Sequence, residues 1–471
     1  MHTSPSRSAD LSIQDLRAAL NGRVIAPADA DYDKARTVVT GGIDRRPAAI
    51  VRVADANDVA HVIKLARDTG LELAVRSGGH SGAGHSVTEG GVVIDLADMK
   101  KIDIDVAGRT VWAEAGLTAG EVTKATAEHG LAIGFGDTGS VGIGGITLGG
   151  GVGYLGRKYG LTIDNLVAAD IVTADGEQLR VDATHHPDLF WAIRGGGGNF
   201  GVVTRFQYRL HEVGEVVGGM LILPATAEVI AGFIAAAEAA PDELSTIANV
   251  MPCPPMPFVP EDEHGKLVVF ALMIHAGDIE AGQAAVAPFR ALATPVADML
   301  RPMPYPEIYG PEGGAEDYHP LAIARTLFVD RIDLPVAKVI MDHLESSDAA
   351  MRVAQLRVLG GAIARVPADA TAYAHRGSRI MVNIASFYEG DHDRAKRQAW
   401  VDDFVAAITQ DDHGAYVNFL VDEGEERIRA AYPGATWDRL AKVKATYDPS
   451  NVFRLNQNVP PATAESGASA G

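Results

Sequence analysis

Three glycine-dense segments in the first half of the chain hold its most chemically suggestive residues: RSGGHSGAGHS (76–86), GFGDTGSVGIGGITLGGGVGYLGRKYG (134–160) and RGGGGNFGVVT (194–204). Consecutive glycines let backbone N–H groups approach an anion with no Cβ in the way. Three such loops exceed what turns require and suggest a large phosphate-bearing ligand lying against bare main chain. The alternative is that the glycines only permit tight packing between layers. VGIGGITLGGG does not follow the strand, G-x-G-x-x-G, helix pattern of a dinucleotide fingerprint, and the chain has no G-x-x-x-x-G-K-[ST] phosphate loop. No H-E-x-x-H or Cys/His spacing marks a metal site, and no G-x-S-x-G elbow marks a serine hydrolase. Asp391-His392-Asp393 reads as a helix-start turn.

The elements that must position these loops follow from periodicity. Ala49 to Val53 reads as a strand, and Asp55 caps a helix whose Val59, Val62, Ile63 and Ala66 share one face. Gly70 stops that helix, and LELAVR forms a strand that runs straight into the first glycine loop. GVVIDL and TVWAEAG are β-like, and Thr118 with Glu121 forms a capping box. LVAADIVTADGEQLRV reads as a hairpin turning at Asp175-Gly176. Near Glu212 the glycine loops give way to strand-like segments (GGMLILP, KLVVFALMIHAG, SRIMVNIASFYEG) that alternate with helix-like ones. This predicts a second domain at 215–430, an antiparallel sheet flanked by helices, and an α+β fold class for the whole chain.

Composition narrows the function classes. Asp and Glu number 61 against 41 Lys and Arg, a net charge of −20, which disfavours a broad nucleic-acid surface. Cys253 is the single cysteine, so no internal disulfide is possible. The first residues lack an apolar signal core, and no stretch reaches the roughly 20 apolar residues that span a bilayer. The expectation is a cytoplasmic protein with a small-molecule partner and neither nucleic-acid nor membrane binding.

The three glycine motifs, together with DLFWAI before the third and YDPSNVFRLNQNVPP near the C-terminus, resemble in order and spacing the berberine bridge enzyme-like branch of the vanillyl-alcohol oxidase superfamily. The resemblance spans roughly residues 45–460. It implies an FAD-binding domain of two α+β subdomains at 41–214, a substrate domain at 215–430 and a segment at 431–461 returning to the FAD domain. Residues 1–40 are then an N-terminal extension and 462–471 a disordered tail.

By the same resemblance His80 bonds covalently to the flavin 8α carbon, while Ser77, Gly78, Gly79 and Ser81 cradle the FAD diphosphate. Arg76 either adds charge there or anchors the strand end, and His85 faces the flavin or serves the turn. Many relatives add a second link from a cysteine whose position holds Thr138 here, so a single link is expected. Val141 falls at an oxygen gate, where valine is taken to admit O2. Gly142, Gly144, Gly145, Gly149, Gly150 and Gly153 line the FAD channel. Asn199, Phe200, Gly201 and Val203 follow the adenine and ribitol side, and Asn456 and Asn458 approach the flavin.

Alcohol-oxidising relatives often carry a tyrosinate base in Y-x-N-Y, but here the motif ends in Phe419. Tyr416, Tyr388 and Tyr154 are candidates by residue type, each needing a positive neighbour to lower a phenol pKa of about 10. A neutral amine would need no such base. The implied activity is hydride removal from a carbon bearing N or O, with O2 as acceptor and hydrogen peroxide as product. The competing readings are a dehydrogenase with another acceptor and a protein that holds FAD without turnover.

Overall fold

A computed structural model describes residues 11–310 and 319–463. The first ten residues and most of the expected C-terminal tail lie outside the described residues. Three main sheets organise the chain. The first places Arg23–Ile25, Ala49–Arg52, Val92–Asp95 and Leu73–Arg76 side by side, the last three parallel. Parallel strands need a crossover, and the helix Ala56–Thr69 supplies it. Asp55 accepts from Asn57 N and Asp58 N at its start, and Gly70 ends it at φ +72°, a left-handed position that suits glycine. Its apolar stripe Val59, Val62, Ile63 and Ala66 is buried, and Leu73–Arg76 delivers the chain directly into SGGH.

The second sheet is antiparallel: Ile102–Asp105, Thr110–Glu114, Val202–Arg209, Leu166–Val172, Gln178–Asp182. The expected capping box forms, with Glu121 N donating to Thr118 Oγ1 and Thr118 N to the Glu121 carboxylate. The hairpin turns with Gly176 at φ +87°. The third sheet is eight-stranded and antiparallel. Its central order is Glu215–Pro224, Leu267–His275, Leu244–Pro252, Arg352–Val358, Ile380–Phe387, Ala322–Val329. One face (Ala248, Val250, Leu356, Val382, Ile384) packs on the helices Ala227–Ala239, Leu334–Ser346 and Asp391–Ile408 through Ile230, Phe233, Ile340 and Phe404. The opposite face turns Met381 and Phe328 against Tyr373, Tyr416, Leu161 and Ile163.

The C-terminal helix Ala435–Tyr447 and the segment after it join the same core as the first two sheets, the helix through Trp437 and Leu440 and the segment through Phe453 and Val459. A fully buried pair fixes it: Lys444 Nζ donates to Asp448 Oδ2 (2.6 Å), Asn199 O (2.7 Å) and Phe453 O (2.9 Å). Asp448 accepts in turn from Val452 N and Phe453 N, so both charges are compensated.

Two expectations need correction. Residues 11–40 are not merely an extension. Arg23–Ile25 is the edge strand of the first sheet, and Tyr32, Ala35 and Val38 are buried beneath it. A three-residue strand is too short to show a period in sequence. The long glycine stretch is also not all loop, because Ile143–Gly149 is helical. Packing there outweighs the poor helix propensity of glycine.

Candidate active site

Where the first two sheets meet the third, a cavity of about 420 Å³ opens between all three glycine motifs, the 416–420 segment and the C-terminal segment. Its floor is mostly main chain. Gly78 and Gly142 lie back to back: a Cβ on Gly142 would sit 2.2 Å from Ser77 Oγ and 2.3 Å from Gly78 N, so the first two loops can cross only as glycines. Ser77 secures the crossing, donating from Oγ to Ala115 O (2.6 Å) and accepting from Gly144 N (3.3 Å). Gly145 and Gly198 differ from these two. A Cβ there meets nothing within 4 Å, so their bare backbone faces open cavity.

Ser77, Gly78, Gly79, His80 and Ser81 all line the cavity, as do Thr138, Val141, Gly142, Gly144, Gly145, Gly201, Val203, Asn456 and Tyr416. His80 Nε2 lies 3.2 Å from Ser140 Oγ. Burial lowers the His80 pKa, which keeps the imidazole neutral with a lone pair available. His85 also lines the cavity; burial, with Arg45 nearby, pushes its pKa down to about 4. Asn456 Nδ2 donates to Gly198 O and Phe453 O, while its Oδ1 is buried without a partner.

Other expected site residues lie elsewhere. Arg76 anchors the strand end: it pairs with Asp95 at 2.8 Å, donates to Ala35 O, and is buried away from the cavity. Gly149, Gly150 and Gly153 do not line the channel. A Cβ on them would strike Asn418 Oδ1 at 2.0 Å, the Tyr416 and Tyr373 rings at 3.3 Å, and Phe135 O at 1.9 Å respectively. Their bareness serves packing between layers. Asn199 clamps the C-terminal segment, donating to Gln457 O and accepting from Val459 N, and Phe200 is core. Asn458 is not in the lining, although its Oδ1 is buried and unpartnered.

Of the three tyrosines, only Tyr416 reaches the cavity. Tyr154 is packed with Tyr305, Ile247 and Met303, its hydroxyl unpartnered, and burial raises its pKa well above the usual value. Tyr388 packs against the helices of the third sheet. Tyr416 Oη accepts from Gly151 N (2.9 Å), Asn418 Nδ2 (3.0 Å) and, more distantly, Val152 N (3.4 Å). Burial raises its pKa despite these donors, so the phenol stays protonated near neutrality.

Two lining side chains, Arg357 and Gln457, were missed in the sequence. Arg357, on the third sheet, reaches across to Asp137 beside Thr138, and its guanidinium lies 5.1 Å from the Phe419 ring centre. Nothing in QLRVLGG marked that arginine, because its role depends on which sheet face meets the glycine loops. Gln457, between the two asparagines that were singled out, lines the cavity and donates to Leu420 O (3.0 Å).

Residues 47–182 match the model of an FAD-binding domain, and residues 415–460 match the berberine and berberine-like domain. With the glycine-lined cavity between them, these matches define an FAD-linked oxidoreductase fold. The chain belongs to the berberine bridge enzyme-like FAD-linked oxidoreductases of the vanillyl-alcohol oxidase superfamily. It is 32% identical over 462 residues to (R)-6-hydroxynicotine oxidase of Paenarthrobacter nicotinovorans, covering 94% of this chain and 97% of that protein. It is 30% identical to the FAD-linked oxidoreductase YgaK of Bacillus subtilis, covering 94% and 98%. The crystal structure of 6-hydroxy-D-nicotine oxidase from Arthrobacter nicotinovorans superimposes with a TM-score of 0.84 at 29% identity, covering 94% of this chain and 99% of that one. No helix among the described residues is long and apolar enough to cross a membrane.

The cavity suits FAD. Bare backbone at Gly145 and Gly198 offers close approach to a diphosphate, and the Asn456 Oδ1 awaits a donor. His80 presents a neutral imidazole at the same surface.

Proposed function

We propose that this FAD-linked oxidoreductase is an oxidase of a small neutral molecule, with FAD held by a single covalent bond to His80. When bound, FAD accepts a hydride at N5 from a carbon bearing N or O and passes the electrons to O2, giving hydrogen peroxide. The observation that carries this reading is the position of His80, neutral and facing a cavity floored by glycine backbone. A neutral imidazole is the nucleophilic form, and Ser140 Oγ fixes the ring through Nε2. Thr138 stands in the lining where a thiol would be needed for a second link, and its hydroxyl cannot form a thioether.

Val141 presents a small aliphatic side chain to the cavity, which would leave room for O2 to enter. Tyr416 holds the 149–152 turn through its oxygen and keeps its own proton. With Phe419 unable to accept a proton, the substrate enters without needing one removed, which favours an amine in its neutral form. Met381, Phe328 and Tyr373 seal the side of this wall against water.

Acid denaturation of the purified protein tests the tether: yellow colour should stay with the precipitated chain and vanish in His80→Ala. Anaerobic reduction followed by mixing with air tests the acceptor. Reoxidation in well under a second with stoichiometric peroxide is expected, and reoxidation over minutes would turn the assignment to a dehydrogenase.

A further inference from the structure

Among the described residues, Arg357 is the one guanidinium in the cavity lining, and its surroundings hold it fixed. Its side chain is 5% exposed. Nη2 is committed to the Asp137 carboxylate and to Gln355 Oε1 (2.7 Å), and Nε to the same Gln355 oxygen (3.0 Å). Gln355 is held in turn, donating from Nε2 to Asn249 Oδ1 (2.9 Å), and Asn249 Nδ2 donates to Phe270 O (3.2 Å). This chain of hydrogen bonds runs across the third sheet, where Asn249, Gln355 and Asn383 are paired in register. It ends at the floor of the cavity on Asp137. Among the described residues, Nη1 takes part in none of these bonds and has no partner. Arginine presents five N–H donors in a rigid fork. Here the fork is pinned on one side and leaves the Nη1 donors to the cavity.

We propose that Arg357 Nη1 is the substrate-orienting donor of this oxidoreductase, and that it takes an uncharged acceptor on a flat, largely apolar molecule, such as the carbonyl of an aromatic or heteroaromatic amide. The inference rests on the flavin-oxidoreductase reading of the same cavity and names its ligand chemistry. The charge argument selects the neutral acceptor. Asp137 already compensates the guanidinium, so an incoming carboxylate would be desolvated beside an existing carboxylate and gain little. The shape argument selects the flat apolar body. The Phe419 ring lies under the guanidinium, and Met381 is the register partner of Arg357 on the next strand, buried in the same apolar cluster as Tyr416. Among the described residues, no carboxylate other than that of Asp137 stands in the lining to attract a cation. A donor whose guanidinium is already pinned by Asp137 and Gln355 costs little further ordering when it engages its ligand, as orientation of a C–H bond requires.

Benzamide, benzoate and benzylamine are near-isosteric probes that carry neutral, negative and positive head groups at pH 7. Titrated into the purified flavin-loaded protein by calorimetry, benzamide should bind at least tenfold tighter than either of the others. Arg357→Met should weaken benzamide at least tenfold at an unchanged flavin-to-protein ratio and visible spectrum. If that variant does not fold, Arg357→Lys keeps a charge opposite Asp137 and loses the fork, and the same loss is expected. Asp137→Asn removes the compensation and should shift the preference toward benzoate. Equal or tighter binding of benzoate to the native protein would overturn the proposal, as would benzamide affinity unchanged in the arginine variants. A variant that loses flavin while keeping benzamide would assign Arg357 to the cofactor instead. A native protein that retains no flavin refutes the flavin reading, and the benzamide–benzoate comparison still decides this one.

Discussion

The two walls of the cavity are built from different materials. The floor, from 77–81, 136–138, 141–142, 144–146, 197–198 and 201–203, is mostly main chain: it offers N–H groups, and its shape comes from side chains that are missing. The opposite wall, from Arg357 and 416–420, is made of side chains held by other side chains. A backbone floor binds what every member of a flavin family shares. A side-chain wall can change its ligand by substitution without disturbing that floor. Adding atoms should therefore break the floor, and removing atoms should break the wall.

The largest effect is expected from Gly142→Ala. A methyl group 2.2 Å from Ser77 Oγ and 2.3 Å from Gly78 N cannot be accommodated without parting the crossed loops. Denaturant unfolding should show a loss of about 3 kcal/mol, at the upper end for overpacking, with flavin content falling in parallel. His85 supplies a pH-dependent term on the floor side. Its folded pKa of about 4 lies below the unfolded value near 6.5, so the unfolded chain binds the extra proton between these values. Stability is then fully present above pH 6.5 and lost as the pH falls toward 4, by at most about 3 kcal/mol. Melting curves of His85→Gln should be flatter than those of the native protein across that window.

On the wall, Tyr416→Phe removes the acceptor for Gly151 N and Asn418 Nδ2. A cost of about 1–3 kcal/mol is expected by denaturation, with flavin still attached and the pH profile of turnover unshifted, because the phenol holds its proton. The smallest stability change sharpens the comparison most. Gly145→Ala meets nothing within 4 Å and should leave unfolding within about 0.5 kcal/mol of native. Its flavin content, read from visible absorbance, should nevertheless drop, because on the proposed placement the cofactor approaches the backbone through that open space. Unchanged flavin in Gly145→Ala would show that the floor at this point does not face the cofactor.

Glycine patterning and cap residues were legible in the chain itself because they act locally. Asp55 and the Thr118–Glu121 box specify helix starts through bonds to residues two or three positions away, and Gly70 specifies a helix end through its own left-handed backbone. The RSGGH loop could likewise be read, since a strand entering consecutive glycines exposes backbone whatever it packs against. Gly149, Gly150 and Gly153 show where that reading stops. Their neighbours Asn418 and Tyr416 come from a distant part of the chain and Phe135 from the start of the same segment, and only the fold shows that the missing Cβ makes room for protein. The same holds for the tyrosines: residue type made three of them equal, and burial in separate clusters left one in the cavity.

The sequence by itself determined the backbone floor of the cavity: the glycine loops and the histidine among them, with a hydroxyl and no thiol at Thr138 and a phenyl ring and no phenol at Phe419. The tertiary structure alone decided that Arg357 meets Asp137, that Arg76 serves a strand end, and that Arg23–Ile25 belongs to a sheet. The physical reason is range. Backbone conformation and capping are set by near neighbours, whereas the partner of a long charged side chain is set by sheet register and by which faces come together.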